Sequence, residues 1–586
     1  MPVIHPHARR SLLAAACTTS VWALTACGGG AGSADTGPVA PAVSLSLTGN
    51  AATGAAIAGR PVEAKCNGGS GNATSAGDGG YKIELSAGTL PCVLRVTAAD
   101  GTLLHSLAVG SGAAAKANLT PVSELVLAQL AGTAPASYFS AFDAAAAGGL
   151  TVPKAQAASS AVVALLKAAG VDLTTVGDVL TAALVPANGS TAGNGFDQAL
   201  EALKAKLSST GLTLAALTDS IVISSPAAPP AALSALASLP VDLLLMPAAA
   251  TCTSLRSGRY RIVIAESNAG QVFSTEVVTL DAKALKVTNS QGEVNQLTAV
   301  AGERCRFTTP AGGEVAVSAA GVVVAQAKTS DGPFKAAVLF PEQAHGLAKL
   351  AGEWNALAQD RSTPGGPIHL TSASFIHDGS GGLTALTFCD DVISCKSGTA
   401  AGNPDFPPIK MAVNASGGFD RSNARDGWTD RAFVYRAGGG ELMLVSLSPG
   451  GHMAFATRKV TRALPAEGDV SQGWQLVIVP NATTPYYTAS SISRYKSTVS
   501  ALDSVKGQYQ RVAVTDFTNN VTRPETLAIN ALRDGYLRRM PGSTTASNGS
   551  MSTISEWIGL PMRGMGFTPV GVLGSQQMVL AVAQAQ

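Results

Sequence analysis

The chain has 586 residues, too many for one hydrophobic core, and length alone predicts three or four domains. Only 13% of residues are charged and the net charge is +2, so no electrostatic footprint of a nucleic-acid partner is present. Sixty-three glycines and 31 prolines, with aromatic residues at 5%, predict short elements parted by many turns.

At the N-terminus Arg9 and Arg10 precede a mostly apolar or small run from Leu12 to Leu24. Cys27 follows the small residues Thr25 and Ala26. That layout predicts a secretory signal peptide over 1–26. Leu24-Thr-Ala-Cys27-Gly28 resembles the lipobox of bacterial lipoproteins, which implies cleavage before Cys27 and its acylation. The mature chain would then carry 38 basic and 38 acidic residues. No second apolar run of about 20 residues follows, so the expected membrane contact is the lipid anchor itself. Gly28-Gly29 lacks the Asp that accompanies inner-membrane retention, which points to the outer membrane. Residues 27–42, rich in Gly, Ala, Ser and Pro, predict a flexible tether.

Beyond Cys27 the cysteines are Cys66, Cys92, Cys252, Cys305, Cys389 and Cys395, an even set that allows about 15 pairings. An exported chain sits where disulfides persist. Proximity within modules favours Cys66–Cys92, Cys252–Cys305 and Cys389–Cys395. No His or further Cys lies at zinc-like spacing from the last pair, so a small disulfide loop is expected there.

Residues 43–118 show short period-two runs separated by Gly, Asn and Asp, the pattern of a small antiparallel sandwich. Gly59-Arg-Pro-Val-Glu-Ala-Lys-Cys66 and Thr74-Ser-Ala-Gly-Asp-Gly-Gly-Tyr81 together resemble the carboxypeptidase regulatory-like fold. The resemblance implies a non-catalytic accessory module. Its one histidine, His105, is expected to be half-buried and polar in role.

From Thr120 the period becomes helical, with Thr120 as N-cap, Pro121 at the first helical position and Glu124 in the first turn. Further helices are expected near 137–148, 153–169, 173–184 and 196–209. Phe196, Leu200, Leu203 and Leu207 share one face of the last. An Ala-rich helical bundle over 119–223 and a Pro/Ala-rich linker over 224–250 follow.

Strand patterns dominate from Cys252 onward, with units expected at 251–333, 334–482 and 483–586. Leu255-Arg-Ser-Gly-Arg-Tyr-Arg261, Leu350-Ala-Gly-Glu-Trp-Asn355 and Val505-Lys-Gly-Gln-Tyr-Gln510 suggest related starts. Gly352-Glu-Trp354, Thr429-Asp430 and Arg458 resemble the calycin pattern, in which a floor Trp stacks against a late Arg. The resemblance implies a lipocalin-like barrel over 334–482 holding a small apolar ligand, with Trp354 and Arg458 at the site. The third residue of the Thr-Asp-Tyr pattern is here Arg431, a departure from it.

No Gly-x-Ser-x-Gly elbow marks an activated serine, and His377-Asp378 precedes a turn-like Gly379-Ser-Gly-Gly382. Asp390-Asp391 suits a solvated loop better than a cation site. Tyr486, Tyr487 and Tyr495 in a polar stretch are compatible with an adhesive or glycan-facing surface. The expected fold is multidomain and mainly β: an N-terminal β-sandwich, a helical bundle and C-terminal antiparallel meander or barrel units. The expected role is that of a non-enzymatic, lipid-anchored envelope protein without cofactor or metal, which displays or binds a protein, a glycan or an apolar ligand. A lipocalin-like carrier and a hydrolase with an unrecognised site are the alternatives.

Overall fold

The computed structural model describes residues 44–188, 191–225, 227, 239–264, 274–328, 334–361, 368–390, 392, 394–447, 452–480, 487–562 and 564–584. Cys27, the expected signal peptide and the tether lie outside them, as do Asp391 and Tyr486. The chain is multidomain and mainly β, with a helical segment after the first sheets.

The N-terminal sandwich packs a three-stranded sheet on a four-stranded one. Leu45–Asn50 is central in the smaller sheet, between Gly80–Leu85 and Ala114–Lys116. Pro61–Asn67, Gly69–Thr74, Thr89–Thr97 and Leu103–Ala108 form the larger. Leu45, Leu47, Val62, Ile83, Leu94 and Val96 alternate inward to make the core. Gly79 takes φ +80°, a left-handed conformation that an L-residue adopts at a cost, and Asp78 Oδ1 accepts the Gly80 N–H at 2.9 Å.

Thr120 caps the helix Pro121–Ala131 as its sequence predicts, accepting the Ser123 N–H, and Gly132 ends it in a left-handed turn. The helix is buried over Pro121–Ala128. It packs between the sandwich and the helices Val152–Ala168 and Leu214–Ser224. Gly195–Thr210 buries Phe196, Leu200 and Leu203 as expected, with Leu207 at the margin of the same core. The helix expected at 173–184 is absent. That stretch runs as turns, with Asp172 and Asp178 bonding the N–H groups of Thr174 and Leu180, while Leu173, Val179 and Leu184 still enter the core. No single described helix is long and apolar enough to cross a bilayer.

The linker expected over 224–250 is corrected in its described part. Leu239, Val241, Leu243 and Leu245 are buried, and Ala248–Ala249 pairs with Cys252–Arg256. The β-unit boundaries also move. Lys335–Pro341 pairs with Gly258–Ile264 and so completes the first unit, which ends at 341 rather than 333. Val470–Pro480 pairs with Ser493–Asp503 and Gln577–Ala583, so the third unit starts at 470 rather than 483. In both places the strand has one partner close in sequence, Val323–Ala327 or Ser493–Asp503, and a second across a long connection.

Among the described residues each unit is built on a nine-stranded antiparallel sheet. In the first, the edge strands Val294–Gln296 and Thr298–Ala299 are separated in sequence only by Leu297, so the sheet must curl until its edges meet. The second runs from Gly352–Arg361 to Met453–Arg458, which pair with each other at its centre. The third closes into a ring, because Val470–Pro480 and Gln577–Ala583 are hydrogen-bonded. One apolar cluster joins all three through Val338, Phe340, Tyr435, Phe455, Leu476 and Leu580.

Candidate functional site

The curl of the first unit encloses a cavity of about 210 Å³. Its strands alternate by the period of two, so Tyr260 and Ile262 share one wall, Val278 and Leu280 the next, and Val323 and Ala325 the facing one. The disulfide Cys252–Cys305 fastens one side of this unit. The Tyr260 hydroxyl donates to Arg256 O at 3.0 Å, and burial pushes it far above the usual phenol range, so it stays neutral. Polar groups are few: Asn295, Thr309, Gln326 and Lys328. Gln326 is fixed by donating to Ser490 O at 2.7 Å. Lys328 is exposed, its ammonium 5.9 Å from the centroid of the Phe334 ring. An apolar cavity with a small polar set can hold an apolar molecule.

The sequence directed attention instead to Trp354 and Arg458 in the second unit. The structure brings them together: they are cross-strand partners, and the guanidinium lies 4.5 Å from the indole centroid. Phe375 stacks parallel on Trp354 at 6.2 Å. Trp354 is only 1% exposed and packs among Leu350, Met411, Phe419, Val434 and Leu444. Its Nε1 donates to Leu350 O at 2.8 Å, and Arg458 donates to Leu350 O and Lys349 O at 3.2 and 2.7 Å. The short 3-10 turn Leu347–Leu350 thus covers the pair. The pair therefore lies in a packed core beneath this turn. The cavity of the first unit was missed because nothing in its strands departs from an ordinary core pattern.

Asp430, of the Thr429-Asp430 pair, is buried and held by a two-pronged ion pair with Arg421, whose own charge Asp430 favours against the cost of burial. In the third unit Glu525 is buried among Arg511, Arg523 and Arg539, with contacts of 2.9, 2.9 and 3.0 Å. Arg511 and Arg539 flank Trp557 at 5.6 Å each. Desolvation raises the Glu525 carboxyl, but the three guanidiniums outweigh it and hold the group below its ordinary range.

The three disulfides join Cys66 to Cys92, Cys252 to Cys305 and Cys389 to Cys395. His105 is fully buried rather than half-buried, with Nδ1 2.8 Å from Glu124 Oε2. Asp378 Oδ1 accepts the N–H groups of Ser380, Gly381 and Gly382, and His377 Nδ1 that of Gly379, so this segment is a hairpin turn. Burial pushes the His377 imidazole down, which favours its neutral form. His452 lies 3.5 Å from Asp360, and His345 Nε2 is 2.9 Å from Gln343. Tyr495 is half-buried, and burial raises its phenol. Among the described residues no group of three or more His, Cys, Asp or Glu side chains has the arrangement to hold a metal ion.

Neither a protein-family model nor a curated protein matches the chain. Solved structures with local likeness include a double mutant of transferrin binding protein B, a vaccine antigen from Haemophilus parasuis Hp5. It has 10% identity and a TM-score of 0.19, over 56% of this chain and 76% of that one. Transferrin binding protein B from serogroup B Neisseria meningitidis has 11% identity and a TM-score of 0.13, over 56% and 76%. A protein of unknown function from Nostoc punctiforme PCC 73102 has 10% identity and a TM-score of 0.15, over 42% of this chain and all of that one. Similarity at this level carries no function across.

Proposed function

We propose that the protein is a non-enzymatic binding protein of the bacterial cell envelope, tethered through a lipid on Cys27, that holds an apolar molecule in the curled first β unit. The observation that carries the reading is the cavity of about 210 Å³, walled by Ile262, Val278, Leu280, Val323 and Leu339. Apolar surface left unfilled inside a sheet favours a guest that removes it from water, by roughly 25 cal/mol per Å² buried. The lipobox-like Leu24-Thr-Ala-Cys27 and the Gly28-Gly29 that follows support the anchor and the outer membrane. The sandwich, read as the non-catalytic module its motifs resemble, serves as a spacer between anchor and binding unit.

The guest is small and apolar, and Lys328 offers an anionic head a partner at the polar side. Native mass spectrometry of the protein, followed by titration with laurate and with dodecane, tests this. Saturable binding of either probe that Ala325→Phe abolishes, with unchanged circular dichroism, is the expected outcome. Binding unaffected by Ala325→Phe, or none by either probe, overturns it. For the anchor, Cys27→Ala is expected to release the protein from membranes, and equal membrane retention overturns that part.

A further inference from the structure

The disulfide Cys389–Cys395 differs from the other two in its surroundings. Cys66–Cys92 is likewise a direct cross-strand pair, yet both of its cysteines are buried, as are both of Cys252–Cys305. In Cys389–Cys395 the first cysteine is buried and the second exposed. Arg533, on the connection between Val521–Ile529 and Leu537–Arg539 of the third unit, reaches across to it. Its Nη1 donates to Cys389 Sγ at 2.9 Å and to Cys395 Sγ at 3.4 Å, while Nη2 donates to Ser372 Oγ at 2.7 Å. The Tyr536 ring lies 5.0 Å from the guanidinium. The guanidinium is thus shared between the two sulfurs, the Ser372 hydroxyl and the Tyr536 hydroxyl. Neither of the other disulfides receives a guanidinium hydrogen bond among the described residues.

We infer that Cys389–Cys395 is a thiol–disulfide exchange site for external dithiols, with Cys395 the attacked sulfur and Cys389 the leaving thiolate stabilised by Arg533. Exchange rates rise with access to the attacked sulfur and with a lower pKa of the leaving thiol. A neighbouring guanidinium lowers a thiol pKa by favouring the thiolate. In the first step a dithiol thiolate attacks Cys395 Sγ, the protein S–S bond breaks, and its electron pair passes to Cys389 Sγ beside Arg533. In the second, the other dithiol sulfur, after losing its proton, attacks the mixed disulfide and expels the Cys395 thiolate, which takes a proton. The dithiol is oxidised to a disulfide and the protein disulfide is reduced, two electrons being transferred. The structure thereby acquires a redox-sensitive contact between the second unit, which holds both cysteines, and the barrel connection that holds Arg533.

The test uses the intact protein and dithiothreitol as the probe, with timed alkylation of free thiols and peptide mapping. The expected result is labelling of Cys389 and Cys395 at least about tenfold faster than that of the other four cysteines, given the exposure of Cys395. Arg533→Gln is expected to slow that phase by about fivefold or more through the poorer leaving group, and Arg533→Lys by less. Tyr536→Phe, which loosens the same contact but keeps the guanidinium, is expected to react at least as fast as the parent. In the reduced protein the alkylation midpoint of Cys389 should lie below the ordinary thiol value of about 8.5 and return towards it in Arg533→Gln. Equal reduction rates for all three disulfides overturn the assignment of the site. An unchanged rate and midpoint in Arg533→Gln overturn the role of Arg533.

Discussion

His105 and Glu124 meet inside the junction between the sandwich and the first helix, with Nδ1 2.8 Å from Oε2. The same carboxylate oxygen accepts the His105 backbone N–H, and Ser123 Oγ donates to His105 O at 2.8 Å. One carboxylate therefore satisfies two buried donors of a strand from the first turn of a helix. Its place in that turn also suits the helix dipole. Glu124→Leu strands both donors and is expected to cost about 3 kcal/mol. Hydrogen exchange over 103–108 and 121–131 checks this: protection should fall in both segments together. Replacing both residues, as His105→Leu with Glu124→Leu, should cost less than Glu124→Leu alone, because the imidazole no longer lacks a partner.

Arg458 makes the second prediction. It covers the Trp354 face at 4.5 Å and donates to two carbonyls of the turn 347–350. Arg458→Met keeps an apolar stem over the indole but removes the donors, at an expected cost of about 1–2 kcal/mol. Exchange at 347–351 should rise. Laurate binding in the first unit should be unchanged, since that cavity is lined by other strands. A parallel loss of binding would place the ligand at Trp354 instead.

The contrast between these two sites shows what the sequence could and could not express. The sandwich, the cap at Thr120 and the buried face of Phe196, Leu200 and Leu203 were legible because each depends on spacing within a few residues. The contact of Trp354 with Arg458 was legible as a pairing but not as a role, since only packing shows that Leu350 and Phe375 seal it. The cavity was illegible because a strand facing a void and a strand facing a core carry the same alternation. Lys335–Pro341 and Val470–Pro480 were misplaced for a related reason: the second partner of each is distant in sequence and set by curl and closure, which no local pattern encodes.

The disulfides supply the third prediction. Their sequence separations are 53 for Cys252–Cys305, 26 for Cys66–Cys92 and 6 for Cys389–Cys395. Loop-closure entropy predicts stabilisation in that order, about 4, about 3.5 and about 2 kcal/mol. Paired Cys→Ser variants, followed by thermal unfolding of the unit that contains each pair, should reproduce the ranking. The Cys252/Cys305 variant should also weaken laurate binding, because that bridge fastens the curled sheet around the cavity. The Cys389/Cys395 variant should leave binding as it is.

Glu525 gives the pH dependence. Burial works against its charge, yet Arg511, Arg539 and Arg523 depress its carboxyl below the usual range. A carboxyl depressed on folding contributes stability that is fully present above its unfolded pKa and is lost as pH falls through the folded value. The third unit should therefore hold its stability through neutral and mildly acidic pH and lose part of it only below about pH 4, where the ordinary carboxyl range begins to protonate. Glu525→Gln removes the charge at every pH and leaves three guanidiniums facing one another. It should cost about 3 kcal/mol at pH 7 and flatten the acid limb of the stability profile. Denaturant unfolding followed by exchange over 508–516 and 521–529 reads both effects. The same acid slope in parent and variant would show that the Glu525 charge does not set the acid stability of the barrel.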